Sequence, residues 1–169
     1  MERHSLWAPW RIPYIRNIEK TDECFLCHDY AHPEQDEANL VLWRTERSVV
    51  VLNRFPYNNG HLLVAPGRHI ADLDEASEEE MLELMQLVRE SQRALSQAIH
   101  PVGFNVGLNF GRCAGAGLPG HMHVHIVPRW EGDTNFMSVC GDTRVISQSL
   151  GDLLAELKKA SAEHNLPSL

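Results

Sequence analysis

Hydrophobic and polar positions change their period several times along this chain, and each change marks an element. Short apolar runs at Leu40–Trp43, Val49–Leu52 and Leu62–Val64 are closed by charged residues or by Asn, Gly or Pro, which predicts three strands. Between Cys24 and Ala38 the sequence is polar and reads as a loop. Ser77-Glu-Glu-Glu80 is a capping-box start. Met81, Leu84, Met85, Val88, Leu95 and Ile99 then recur at helical spacing until Pro101. A second amphipathic helix is expected from near Ser147 to Glu163, with Leu150, Leu153, Leu154 and Leu157 inward. The first twenty residues carry Pro9 and Pro13 and predict an arm rather than a helix, anchored by Trp7, Trp10 and Tyr14.

The stretch from Gly103 to Trp130 says more. Phe104, Val106, Leu108 and Phe110 alternate with Asn105, Gly107, Asn109 and Gly111, so one face is apolar and the other small or amide-bearing. A ten-residue glycine-rich connection, Gly111–Gly120, leads to His121-Met-His-Val-His-Ile-Val127, where histidines alternate with Met122, Val124 and Ile126. If the two strands are antiparallel neighbours, their apolar faces share one core. The histidines then lie beside Asn105 and Asn109 on the open side.

Composition narrows the class. With 169 residues, 43% apolar and 22% charged, the chain suits one ordinary globular domain, and neither a repeat nor a low-complexity linker divides it. No apolar run approaches the roughly 20 residues of a membrane span. The segment from Met1 to Lys20 lacks the apolar stretch of a secretory signal, so a cytoplasmic location is expected. The formal charge of −8 argues against a nucleic-acid partner, which favours a basic face, but leaves room for a local cationic pocket. Cys24 and Cys27 read as a metal or redox pair, and Cys113 and Cys140 as free thiols.

Three histidines at i, i+2 and i+4 on one face are poor core packing, and two chemistries compete to explain them. A metal could take two neighbours, but the outer pair lies ~13 Å apart along an extended strand, too far for one ion without distortion. Alternatively, one imidazole is a nucleophile while its neighbours and the turn's N–H groups position phosphate oxygens. The second needs no distortion and is preferred. Cys24-Phe-Leu-Cys27 has the gap of a zinc half-site, but composition does not choose the remaining ligands; His28 is the nearest in sequence.

His121-Met-His-Val-His-Ile-Val127 resembles the His-φ-His-φ-His-φ-φ signature of the histidine triad (HIT) superfamily, φ being a hydrophobe. The segments Leu52–Val64 and Gly103–Asn109 are similar to that family's strand-turn-strand and amide-bearing strand. Leu6–Arg11, Pro128-Arg-Trp130 and Gly132–Phe136 resemble its bacterial diadenosine polyphosphate phosphorylase/hydrolase branch. The resemblance implies an α+β, HIT-like fold: an antiparallel sheet of about five strands, a long helix and a C-terminal helix, in a homodimer. Residues 1–20 would be the arm, 21–140 the HIT domain and 141–169 a C-terminal helical extension.

The same resemblance assigns roles. His123 would attack the α-phosphorus and carry the nucleotidyl group. His125 and His61 would complete the catalytic set by contacting phosphate oxygens. Asn53 would lie near the ribose and Asn109 by the α-phosphate, with His125 and Gly117 of the glycine-rich turn also binding substrate. A structural zinc would be held by Cys24, Cys27, His69 and His121, so the first triad histidine would serve the metal. The chain departs from the family at Leu118, where relatives often have Ser or Thr, so Arg112 or turn amides would have to assist the leaving group. The implied activity is cleavage of a dinucleoside polyphosphate of the diadenosine tetraphosphate kind, with water or phosphate as acceptor. Trp130 would be a stacking wall for a second base. The alternatives are a nucleoside phosphoramidate hydrolase and a non-catalytic, zinc-stabilised nucleotide-binding protein.

Overall fold

The computed structural model describes residues 24–133 and 145–169. The arm expected over residues 1–20, Cys140 and residues 134–136 of the Gly132–Phe136 motif lie outside the described residues. Five strands form one antiparallel sheet in the order β1-β2-β3-β5-β4. They are β1 (Val41–Arg44), β2 (Ser48–Leu52), β3 (Leu62–Pro66), β4 (Gly103–Leu108) and β5 (Val124–Arg129). Helix α1 is Phe25–Ala31, α2 is Glu78–Ile99 and α3 is Leu150–Glu163. This is the α+β architecture expected, with its long helix and C-terminal helix.

Strands β2 and β3 are buried at every position because both faces of the sheet are covered there. Val50, Leu52, Leu62 and Val64 face Leu84, Leu87, Val88 and Leu95 of α2 and Leu153, Leu154 and Leu157 of α3. Val49, Val51, Leu63 and Ala65 face Leu26 of α1. Two-sided burial turns alternation into the continuous apolar runs seen in the sequence. Each fully buried leucine contributes about 1.5–3 kcal/mol.

Helix α2 starts at the Ser77/Glu80 capping box and ends at His100, whose left-handed φ of 46° closes the helix before Pro101. Its buried stripe runs through Leu84, Leu87, Val88, Ala94 and Leu95, whereas Met81 and Met85, expected inward, are exposed. Spacing alone does not distinguish the two edges of an amphipathic stripe, and the sheet selected the Leu87 side. Ser149 caps α3 by accepting from Asp152 N–H, two residues later than the expected start.

Two further expectations are corrected. The polar segment from Cys24 to Ala38 contains α1, a helix of seven residues. With Leu26 as its buried apolar anchor on the sheet, it is too short to show a helical period. Strand β5 begins at Val124, not His121. The chain before it leaves the sheet, and Met122 N–H donates to Ile70 C=O at 2.7 Å. The expected pairing holds, with Leu108, Gly107 and Asn105 opposite Val124, His125 and Val127. Val106 nevertheless stays 44% exposed, because β4 is the sheet's edge while α2 packs on β2, β3 and β5. No described helix is long and apolar enough to cross a membrane.

Candidate functional site

The face of the sheet opposite α2 is covered by α1 at one end and open at the other. The register puts Leu63, His125 and Gly107 side by side across β3, β5 and β4, so the histidine row emerges where the α1 cover stops. Gly107 stands directly opposite His125, and a Cβ there would meet nothing within 4 Å. The glycine thus leaves open space beside the imidazole.

The first histidine belongs to a separate cluster. Cys24, Cys27, His69 and His121 bring one ligand atom each to within 4.8 Å of one another and form a potential metal site. Cys24 Sγ is 3.2 Å from His121 Nδ1, Cys27 Sγ is 3.2 Å from His69 Nδ1, and Cys27 Sγ is 3.4 Å from His121 Nδ1. Those separations are close to the edges of a tetrahedron with ~2.0–2.3 Å metal–ligand bonds, and the two-thiolate, two-imidazole donor set is that of structural zinc. The imidazole is already aimed. His121 Nε2–H donates to Pro66 C=O at 2.8 Å, which turns the Nδ1 lone pair toward the cysteines. Burial holds His121 near pKa 4, so it is neutral as a ligand must be. Burial, with the Cys24 thiol beside it, raises Cys27 to about 11. A bound cation inverts that environment and deprotonates the thiol.

Local structure accounts for the convergence. Cys24 immediately precedes α1 and Cys27 sits in its first turn, which packs on the sheet through Leu26. His69 follows β3 by three residues, and Gly120 passes so close that a Cβ would lie 3.3 Å from His69 Nε2. Arg68, next to His69, is held by a bidentate pair of 2.7 Å hydrogen bonds to buried Glu80. His28, the nearest histidine by sequence, is not in the cluster; its ring stacks on His32.

The other histidines form a chain of fixed polarity. His123 is 8% exposed, and its Nδ1–H donates to the His121 carbonyl at 2.8 Å. The Nε2 atom therefore carries the lone pair. Burial also lowers the His123 pKa, which favours the neutral ring. His61 is fully buried. Tyr57 N–H donates to His61 Nδ1 at 3.0 Å, so the neutral ring bears its proton on Nε2, 3.0 Å from His125 Nδ1. His125 then accepts at Nδ1 and carries its proton on Nε2, 3.3 Å from Asn109 Nδ2, so the Asn109 amide is turned about its last bond in a consistent network. The consistent arrangement has the amide oxygen accept that proton.

Both ring nitrogens of His61 thus face protein groups, Nδ1 the Tyr57 N–H and Nε2 the His125 ring. Asn53 Nδ2 lies 3.3 Å from His61 Nδ1, placing Asn53 beside the row on the β2/β3 side. The rings of His123 and His125 are 4.8 Å apart. Gly117 makes none of these contacts and lies half-buried in the turn before His121. Trp130, expected as a wall for a second base, donates Nε1–H to His100 C=O at the end of α2.

Sequence reading missed Tyr57, which contributes a backbone N–H to His61 and an aromatic ring stacked 5.8 Å from His125. A backbone donor leaves no mark on residue choice, and the ring stood unremarked in Tyr57-Asn-Asn-Gly60. It also missed Asp133, which clamps Arg129 at 2.6 and 2.9 Å and accepts from Asn58 at 2.9 Å. The i, i+4 spacing of Arg129 and Asp133 was a usable signal.

A family model described as the HIT domain matches residues 34–132. The chain is 40% identical over 157 residues to a Mycobacterium tuberculosis protein named AP-4-A phosphorylase, covering 87% of this chain and 78% of that one. It is 34% identical over 93 residues to a Schizosaccharomyces pombe bis(5'-nucleosyl)-tetraphosphatase (asymmetrical), covering 55% of this chain and 50% of that one. Among solved structures, a zinc-bound histidine triad family protein from Mycobacterium smegmatis superposes with a TM-score of 0.69 at 23% identity, covering 86% and 98% of the two chains.

Proposed function

The chain belongs to the histidine triad family, and from that membership we propose that it is a nucleotidyl hydrolase or transferase acting on dinucleoside polyphosphates through His123. The observation that carries the proposal is the 2.8 Å bond from His123 Nδ1–H to the His121 carbonyl, which leaves the Nε2 lone pair available for attack. The relatives named for tetraphosphate phosphorolysis and hydrolysis supply the substrate class.

In this reading His123 Nε2 attacks the α-phosphorus, an N–P bond forms, and the bond to the departing polyphosphate oxygen breaks with its electron pair. His125 Nε2–H and the Asn109 amide donate to phosphate oxygens as charge develops on them. Gly117 contributes backbone to substrate binding, and Asn53 faces the ribose. Water or inorganic phosphate then attacks the same phosphorus, the N–P bond breaks, and the lone pair returns to Nε2. The acceptor's proton leaves to solvent.

Cys24, Cys27, His69 and His121 would hold a zinc ion whose four protein ligands leave no position for water, so its contribution is to pin α1 and the β3 turn against the start of β5. The Glu80–Arg68 pair holds the His69 end of that assembly.

Two measurements test the proposal. Diadenosine tetraphosphate should yield AMP and ATP in water, or ADP and ATP with phosphate. Rapid quenching without acid should leave AMP on the peptide containing His123, and His123→Asn should abolish turnover while AMP still binds. An adduct on His61 or His125 would sink the mechanism.

A further inference from the structure

Beyond His125 the open face continues into a pocket of about 260 Å³, lined by Tyr57, Asn58, Asn105, Val127, Arg129 and Asp133. Its position, charge and hydrogen-bonding groups each constrain what it could hold. Val127 and Arg129 are four and six residues past His123, so the far wall of the pocket lies roughly 13–20 Å along the strand from the nucleophile, while Tyr57 brings the near wall to 5.8 Å from the His125 ring. A nucleoside bonded directly to the attacked phosphorus sits beside His123. A group bound at the far wall, by Val127, Arg129 and Asn105, is separated from that phosphorus by further phosphates.

The charge in the pocket is already balanced. Arg129 spends Nε–H and one Nη2–H on the two oxygens of Asp133, at 2.6 and 2.9 Å. A phosphate chain would find little net cation there, whereas a neutral group loses nothing by it. Arg129 Nη1–H donates to Asn105 Oδ1 at 2.8 Å, which orients the amide on the exposed edge of β4. An amide offers donor and acceptor side by side, matching the donor and acceptor of an adenine edge. Tyr57 adds a 40% exposed ring, a surface on which a base can stack. The volume lies below the roughly 300–1,000 Å³ of pockets that enclose whole ligands, which suits one nucleoside.

We infer that this pocket receives the nucleoside of the departing nucleotide, its base against Tyr57 and the Asn105 amide. The inference rests on the nucleotidyl-transfer reading and extends it by naming where the leaving half of the substrate binds. The geometry also gives the polyphosphate a length requirement, since the linking phosphates must span from His123 to beyond His125.

The test compares two substrates that deliver the same adenylyl group to His123. Diadenosine tetraphosphate has a nucleoside on its leaving group; adenosine 5'-phosphoramidate has none. Asn105→Leu and Asn105→Asp should each lower kcat/KM on the dinucleotide about tenfold, the loss expected for one amide-to-base contact. On the phosphoramidate each should stay within about twofold of wild type, giving a specificity ratio that shifts about fivefold or more. Two variants of different shape and charge guard against a folding artefact, which would depress both substrates together. Equal losses on both substrates, or no loss on either, would overturn the assignment of the pocket. A wild-type protein that turns over neither substrate would overturn instead the transfer reading beneath it.

Discussion

Replacing Glu80 by Gln keeps the shape of the side chain and removes the charge on which Arg68 and the start of α2 depend. The buried carboxylate accepts from Arg68 Nε and Nη2, both at 2.7 Å, and from Ser77 N–H at 2.8 Å. Chiefly through the Arg68 bonds, against the opposing cost of burial, its pKa falls from 4.5 to about 2. At 1.36 kcal/mol per pKa unit, that drop corresponds to roughly 3 kcal/mol. Arg68 is more than half exposed, and solvent screens the pair, so about 2 kcal/mol is the expected loss for Glu80→Gln at pH 7.5. A protein of this size should then melt about 4–8 °C lower.

The sign follows from a depressed folded-state pKa. The contribution is fully present above pH 4.5 and is lost as pH falls through about 2. Urea unfolding of wild type and Glu80→Gln should therefore show a gap that is flat from pH 7.5 to about 5.5 and at least halved near pH 3. Combining Glu80→Gln with Arg68→Leu in a double-mutant cycle at pH 7.5 should return a coupling of about 2 kcal/mol. A coupling under about 0.5 kcal/mol, or a gap as wide at pH 3 as at pH 7.5, would refute the reasoning.

Cys24→Ala should lose the metal, for which wild type should co-purify with about one zinc per chain, and should melt at lower temperature. Its folded fraction should retain appreciable turnover; activity that vanishes on chelation with an unmoved melting temperature would mark the metal as catalytic instead. His61→Ala should lower kcat by about 10- to 100-fold with a smaller change in KM, because it frees the His125 tautomer rather than a substrate contact. Unchanged kcat in that variant would dissolve the proposed chain of imidazoles. Light scattering at micromolar protein should give a dimer mass, since the β4 edge exposes Val106 and an unpaired strand rim among the described residues, and a monomer would count against it.

Short apolar runs closed by turn residues located three strands, and periodicity located the other two and two of the three helices, because a face that must be buried constrains residue choice at every second or every third to fourth position. The alternation of His121, His123 and His125 with aliphatics identified the chemical strand, and the resemblance built on it supplied His69 as a ligand far from Cys24 in sequence. Those readings drew on side chains that the fold cannot do without. Short elements escaped: α1 has too few turns to show a period, and its anchor Leu26 acquires meaning only once β2 and β3 lie beneath it.

The division of labour among the histidines was decided in three dimensions. It depends on carbonyls of Pro66 and His121 and on the N–H of Tyr57, and backbone groups are the same in every residue. Which edge of α2 faced inward, and where Trp130 pointed, likewise followed from the sheet's order rather than from local pattern. The pocket at Arg129, Asp133, Asn58 and Asn105 joins four positions from separate loops and strands. Each is an ordinary polar surface residue until the register of β4 on β5 brings them together.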